Sequence, residues 1–140
     1  MLELEKQNLH RNRLKGQTGT QVTLDDDFIV PDTMSDVGEI ILDCGSLQLE
    51  PVKVQRERVT VRGKLEFHVL YRKEEGGLQT LGGMIPFEET INVPELEEKD
   101  YVSVSPHLDD LNTEMIHSRK LGIKAIVTLE VKAESLYDTE

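Results

Sequence analysis

The chain has 140 residues and a mass of 15.9 kDa, room for one domain with a real core and too little for two comfortable ones. Twenty-seven acidic against sixteen basic residues leave a net charge of −11, which argues against a phosphate-binding surface over much of the molecule. No stretch approaches the ~20 apolar residues that span a bilayer, the N-terminus is charged where a signal peptide is apolar, and the single Cys44 excludes an internal disulfide and fits a reducing, cytoplasmic compartment.

In chain order, residues 1–16 carry Leu2, Leu4, Leu9 and Leu14 at helix-compatible spacing and read as a helix or an arm. Val22, Leu24, Phe28 and Val30 share one parity, which predicts a strand over 19–30 with an irregular middle at Asp26. After Pro31, Asp32 is placed to cap a short helix in which Val37, Ile40 and Ile41 fall at i, i+3 and i+4, with Gly45 as its C-terminal cap. Leu47 and Leu49 then alternate, and Val52 and Val54 continue on the other parity. The slip at Glu50-Pro51 predicts a bulge, bend or edge, because proline donates no ladder hydrogen bond.

The clearest strand runs from Arg58 to Arg72. Its odd positions read Val59, Val61, Gly63, Leu65, Phe67, Val69 and Tyr71, and its even positions are mostly polar. Glu74-Glu75-Gly76-Gly77 reads as a hairpin connection. Strands follow over 84–93 and 100–108, the latter extended by 111–117, with an acidic loop over 94–100 between them. From Leu121 to Ala133 the alternation returns, with Ile126 the exception on the polar side. The sum is an all-β fold, a β-sandwich or open barrel of about six to eight mostly antiparallel strands with one short helix. The patterned region covers residues 17–135, with 136–140 as a tail.

Motifs that carry chemistry are scarce. Gly77 to Gly83 has the outer spacing of a phosphate loop, but Gly83 and Met84 replace its Lys and Ser/Thr, and strand pattern follows where a helix is required. Gly82-Gly83 therefore reads as a bulge or turn. His10, His68, His107 and His117 lack metal-ligand spacing, and one cysteine cannot complete a structural zinc site. Cys44 reads as a small buried hydrophobe. The Asp25–Asp27 run lacks the glycine and glutamate of an EF-hand, leaving a weak calcium site or a solvated turn. No catalytic residue, metal site or cofactor follows, and the chain reads as a non-enzyme.

Basic residues are nonetheless clustered. Arg56, Arg58, Arg62, Lys64 and Arg72 line or lead into the outward face of one strand. Outward aromatics, which a single-strand nucleic-acid platform needs, are missing from that face. Two readings fit: cross-strand pairing with Glu66, Glu88 and Glu130, or a surface complementary to another protein, including a second copy.

Several phrases occur together in order: Ile29-Val30-Pro31-Asp32 followed by Ile40-Ile41-Leu42, Val61-Arg62-Gly63-Lys64-Leu65 leading to Val69-Leu70-Tyr71, Ile85-Pro86-Phe87, and Ser118-Arg119-Lys120-Leu121 before Ile123-Lys124-Ala125-Ile126-Val127. As a set, over residues 17–135, they resemble the SPOCS domain of spore-envelope proteins of clostridia and related bacteria. In SipL-type proteins of that family, SPOCS regions precede a C-terminal LysM domain. The resemblance implies a non-catalytic module that assembles spore coat or exosporium through protein–protein contacts or self-association, on the mother-cell side of the spore surface. Its implied partners are other spore-envelope proteins or copies of itself, with the coat-basement ATPase reached through neighbouring domains, and neither nucleic acid nor a membrane span. A cell-wall glycan-binding role is the alternative, suggested by the LysM company. Nothing LysM-like follows in Ser135–Glu140, which implies one domain of a longer protein.

The residues of these phrases have physical readings. Pro31 fixes the exit from a strand, and Asp32 caps the helix. Gly63 permits a close backbone approach or a bend. Tyr71, Pro86 and Phe87 complete the structural set, and Arg119 is placed to fork with Asp32 or Asp36 and pin the helix to the sheet.

Overall fold

The computed structural model describes residues 12–136, which form seven antiparallel strands: β1 (Asn12–Ile29), β2 (Val37–Leu49), β3 (Lys53–Gln55), β4 (Arg58–Lys73), β5 (Leu78–Asn92), β6 (Tyr101–His117) and β7 (Lys120–Leu136). One sheet has the order β1-β7-β6. In the other, β4 is central, with β5 along one edge and β2 followed by β3 along the other. The sheets pack face to face, β6 against β2 and β1 against β5. The fold is a β-sandwich, one of the two all-β architectures the alternation allows. β1 already runs from Asn12, inside the stretch read as helix or arm; residues 1–11 and 137–140 lie outside the described residues.

The core lies between the two central strands. Val59, Val61, Leu65, Phe67, Val69 and Tyr71 of β4 are fully buried, facing Leu121, Ile123, Ala125, Val127, Leu129 and Val131 of β7. Burial and exposure alternate along both strands, so each supplies one dry and one wet face. Phe67 meets Phe28 of β1 edge to face, ring centroids 5.3 Å apart. That ring pair explains Gly83; Gly82-Gly83 is neither bulge nor turn but regular β5 paired with His68 and Phe67. A Cβ at Gly83 would stand 2.6 Å from Phe67 and 2.7 Å from Phe28.

The predicted short helix is absent. Residues 32–34 form a turn, and Val37 onward is strand β2. The register of β2 on β4 shifts between Val37 and Glu39 and again between Ile40 and Leu42. Two irregularities in six residues break the period of two, and the apolar residues then fall at intervals that imitate a helix. Pairing of β2 with β4 overrides that local pattern. Gly45 is no helix cap; it sits against Leu65, Leu108 and Leu111 in the sandwich. Cys44 is exposed on the outer side of β2 and not buried.

Elsewhere the punctuation holds. The chain leaves β4's side at Glu50-Pro51-Val52 and rejoins it as β3, so the proline marks a break in one edge. Gly76 and Gly77, with φ of 101° and 86°, turn the β4–β5 hairpin. Two segments cross between sheets. The first, 30–36, is tied by Val30 N–H to the Arg119 carbonyl and Val37 N–H to the Ser118 carbonyl, both at 2.9 Å. The second, 93–100, is tied by reciprocal main-chain bonds of Glu57 to Val93 and Leu96, and buries Leu96.

Candidate functional site: the outer face of the β4 sheet

Even-numbered positions of β4 project from the sandwich, so Arg58, Arg62 and Lys64 share one outward row with Glu66, His68, Leu70 and Arg72. Two cations of this row are neutralised across strands: Arg62 Nε lies 2.6 Å from Glu88 Oε1, and Arg72 Nη1 lies 2.6 Å from Glu39 Oε1. The Glu88 carboxylate holds the Arg62 guanidinium above its ordinary pKa, first through the hydrogen bond and then through charge. Cross-strand pairing thus accounts for half of the strip. Arg58 and Lys64 have no ion-pair partner among the described residues. Arg56 stands apart from them in the β3–β4 turn, beside Glu97, Glu98 and Lys99.

The break in the β2–β3 edge opens a groove on this face of about 510 Å³, walled by Pro51 and Pro86 and lined by Gln48, Leu49, Glu50, Gly63 and Lys64. A shallower depression of about 310 Å³ continues it past Arg62 and Glu88. Gly63 allows this shape. A Cβ there would fall 2.6 Å from the Gln48 carbonyl and 2.9 Å from Phe87, so the predicted close backbone approach is real. Pro86 takes an outward position on the edge strand β5, and Phe87 packs inward. The other end of the same face carries exposed Leu42 and Leu78 around Leu70, while Met84 stands exposed opposite Glu66, next to Pro86 on that face. Nothing in the sequence marks these apolar residues as a group, since Leu70 stands among polar even positions of its strand and its neighbours come from β2 and β5.

Arg119 has a different task. Its Nη1 donates to the Met34 carbonyl (2.6 Å) and Asp36 Oδ1 (3.0 Å), and its Nη2 to the carbonyls of Pro31 (2.8 Å) and Val30 (3.0 Å). The partner is therefore Asp36, and what it pins is a turn rather than a helix. Asp32 lies exposed in that turn and caps nothing. Tyr71 reaches the same region from the core: its hydroxyl lies 2.8 Å from Gln79 Oε1, which also accepts the Ser35 N–H, and 3.1 Å from the Ser35 carbonyl. Burial raises the Tyr71 pKa, nearby Arg119 lowers it, and Asp36 raises it; the net direction is upward.

Among the described residues no group of three or more His, Cys, Asp and Glu side chains is placed to hold a metal. His68 lies 3.5 Å from Glu66 and His107 3.7 Å from Glu130, while His117 Nδ1 accepts the Arg119 N–H. Among the described residues no helix is long and apolar enough to cross a membrane.

Fold and surface together define an antiparallel β-sandwich module presenting one patterned sheet face. Residues 36–116 match the family model described as SipL, SPOCS domain, and the chain belongs to that family, which makes it a sporulation-related domain. No curated protein and no solved structure matches it.

Proposed function

We propose that this domain is a non-catalytic assembly module of the spore envelope, working by protein–protein contact on the mother-cell side of the spore surface. The outer face of the β4 sheet carries this reading. It combines Arg58 and Lys64, cations with no ion-pair partner among the described residues, with a proline-walled groove that Lys64 lines and with exposed Leu42, Leu78 and Met84, a mixture suited to a protein partner. The glycan alternative calls for aromatic platforms, and Tyr101, on the other sheet, is the only exposed aromatic among the described residues.

Co-sedimentation with isolated spore envelopes, beside protein-free cell-wall glycan, tests the reading. Envelope binding that falls at least roughly fivefold in Arg58→Glu/Lys64→Glu, with no retention on glycan, supports it. Retention on glycan that both substitutions leave intact transfers the assignment to the alternative, and no retention on envelopes overturns it.

A further inference from the structure

The opposite face of the sandwich is built differently. On the outward side of the β1-β7-β6 sheet, Asp25, Asp110 and Glu114 surround the β7 residues Gly122, Lys124 and Ile126. Lys120 is held by Asp27 at 3.4 Å, leaving Lys124 as the cation among these carboxylates. Two isoleucines project from this acidic end, Ile29 at 67% exposure and Ile116 at 49%. Ile116 lies over Gly122, where a Cβ would come within 3.4 Å of its Cδ1.

This acidic end lies beside the 30–36 crossing, where β7 begins. The Pro51–Pro86 groove crosses the first half of β4 in the other sheet, with Lys64 and Glu50 both in its lining and Arg58 beyond it at the start of the strand. Arg58 and Lys64, cations with no ion-pair partner among the described residues, and the acidic, isoleucine-bearing patch therefore lie on opposite faces and towards opposite ends of one molecule. We propose that they bind each other between copies: the acidic end of the β1-β7-β6 face docks on the Pro51–Pro86 groove of the next molecule, with Ile29 and Ile116 towards the groove and Asp25, Asp110 and Glu114 facing Arg58 and Lys64. The proposal rests on the protein-contact reading above and names the partner as a second copy of this chain.

A half-turn about the stacking direction brings the two ends into register. It also lays Leu42, Leu70 and Leu78 over the end bearing Gly19, Gln21, Ser103 and Ser105, where Glu130 and Lys132 already have His107 and Glu134 as neighbours. Three strands of roughly 50 Å at a spacing of about 4.8 Å give a face on the order of 700 Å², close to the ~800 Å² per partner of a stable interface. Because the two patches point away from each other, one partner cannot satisfy both. The contact is heterologous and grows into a chain of molecules instead of closing as a dimer.

Light scattering on the intact chain and two double variants tests this. Arg58→Glu/Lys64→Glu disables the groove, and Ile29→Ser/Glu114→Lys disables the acidic end; all four residues are exposed. Wild type is expected to grow past twice its 15.9 kDa mass with concentration, with affinity falling by roughly tenfold in high salt. Each variant alone stays monomeric, and an equimolar mixture gains about twofold in mass and stops, since each supplies the surface the other lacks. Wild type that stops at a dimer, or variants whose mixture behaves as its parts, overturns the proposed contact while leaving self-association standing. A strict monomer that still binds envelopes overturns it in favour of a different protein partner. Should a charge-reversed pair fail to fold by circular dichroism, Arg58→Gln/Lys64→Gln replaces it with the same expected outcomes.

Discussion

Arg119 spends one planar guanidinium on four acceptors, three of them main-chain carbonyls of the 30–36 crossing. Carbonyls in an irregular segment have no ladder partners, so a side-chain donor must satisfy them or they must stay wet. A lysine has the charge but not the fork, and its single ammonium cannot span both sides of the turn. Arg119→Lys is therefore expected to cost about 2–3 kcal/mol, on the order of 10 °C in Tm by calorimetry. Exchanging the charges of Arg119 and Asp36 restores little, because the Val30 and Met34 carbonyls lose the Arg119 donor and only the Pro31 carbonyl keeps the Met34 N–H; full recovery in the double mutant would contradict this. Tyr71 adds a pH signature to the same region. Its folded pKa lies above the unfolded value of about 10. The stability it contributes is thus complete below that pH and is lost as pH rises through the folded pKa. Tyr71→Phe should lose about 1 kcal/mol at neutral pH and show a flatter decline than wild type above pH ~10, measured by urea unfolding at each pH.

The strands differ in how openly the sequence declares them. β4 and β7 are central, one-sided and free of bulges, so Val59 to Tyr71 and Leu121 to Ala133 alternate without a slip. β2 is an edge with two register shifts, and the same period-two rule then misreads Val37, Ile40 and Ile41 as a helical face. What decides between the readings is pairing with β4, a contact that no local window contains. The site was legible in the same uneven way. The row Arg58, Arg62, Lys64 follows from parity, whereas the groove depends on where Pro51 and Pro86 meet across three strands. Gly63 connects the two levels, since its missing side chain lets β2 and Phe87 close over β4. Gly63→Ala drives a Cβ to 2.6 Å from the Gln48 carbonyl, main chain that cannot rotate away. The expected loss is about 2–3 kcal/mol, net of the smaller gain from stiffening the unfolded chain. Urea denaturation measures it, and an unchanged midpoint would show that β2 shifts at no cost.

At the scale of the whole molecule, the two sheets share no ladder: β1, β6 and β7 pair only among themselves, as do β2 to β5. They are joined by the 30–36 and 93–100 crossings and by the apolar layer between β4 and β7. Backbone hydrogen bonds therefore hold each sheet together, while burial holds the sheets to each other. A three- or four-stranded sheet with one apolar face bare to water is not stable alone, so neither sheet is expected to outlast the other. Leu65 tests this because it is fully buried on β4 and contributes no side-chain hydrogen bond. Leu65→Ala removes several methyl groups and leaves a cavity, at a cost of about 3–4 kcal/mol. If the layer couples the sheets, slow-exchanging amides of β7 lose protection by the same free energy as those of β4, although the substitution lies in the other sheet. Hydrogen exchange read residue by residue distinguishes the outcomes. Equal losses in β4 and β7 mark one cooperative unit, whereas protection retained in β7 would mean that the β1-β7-β6 sheet holds its structure independently.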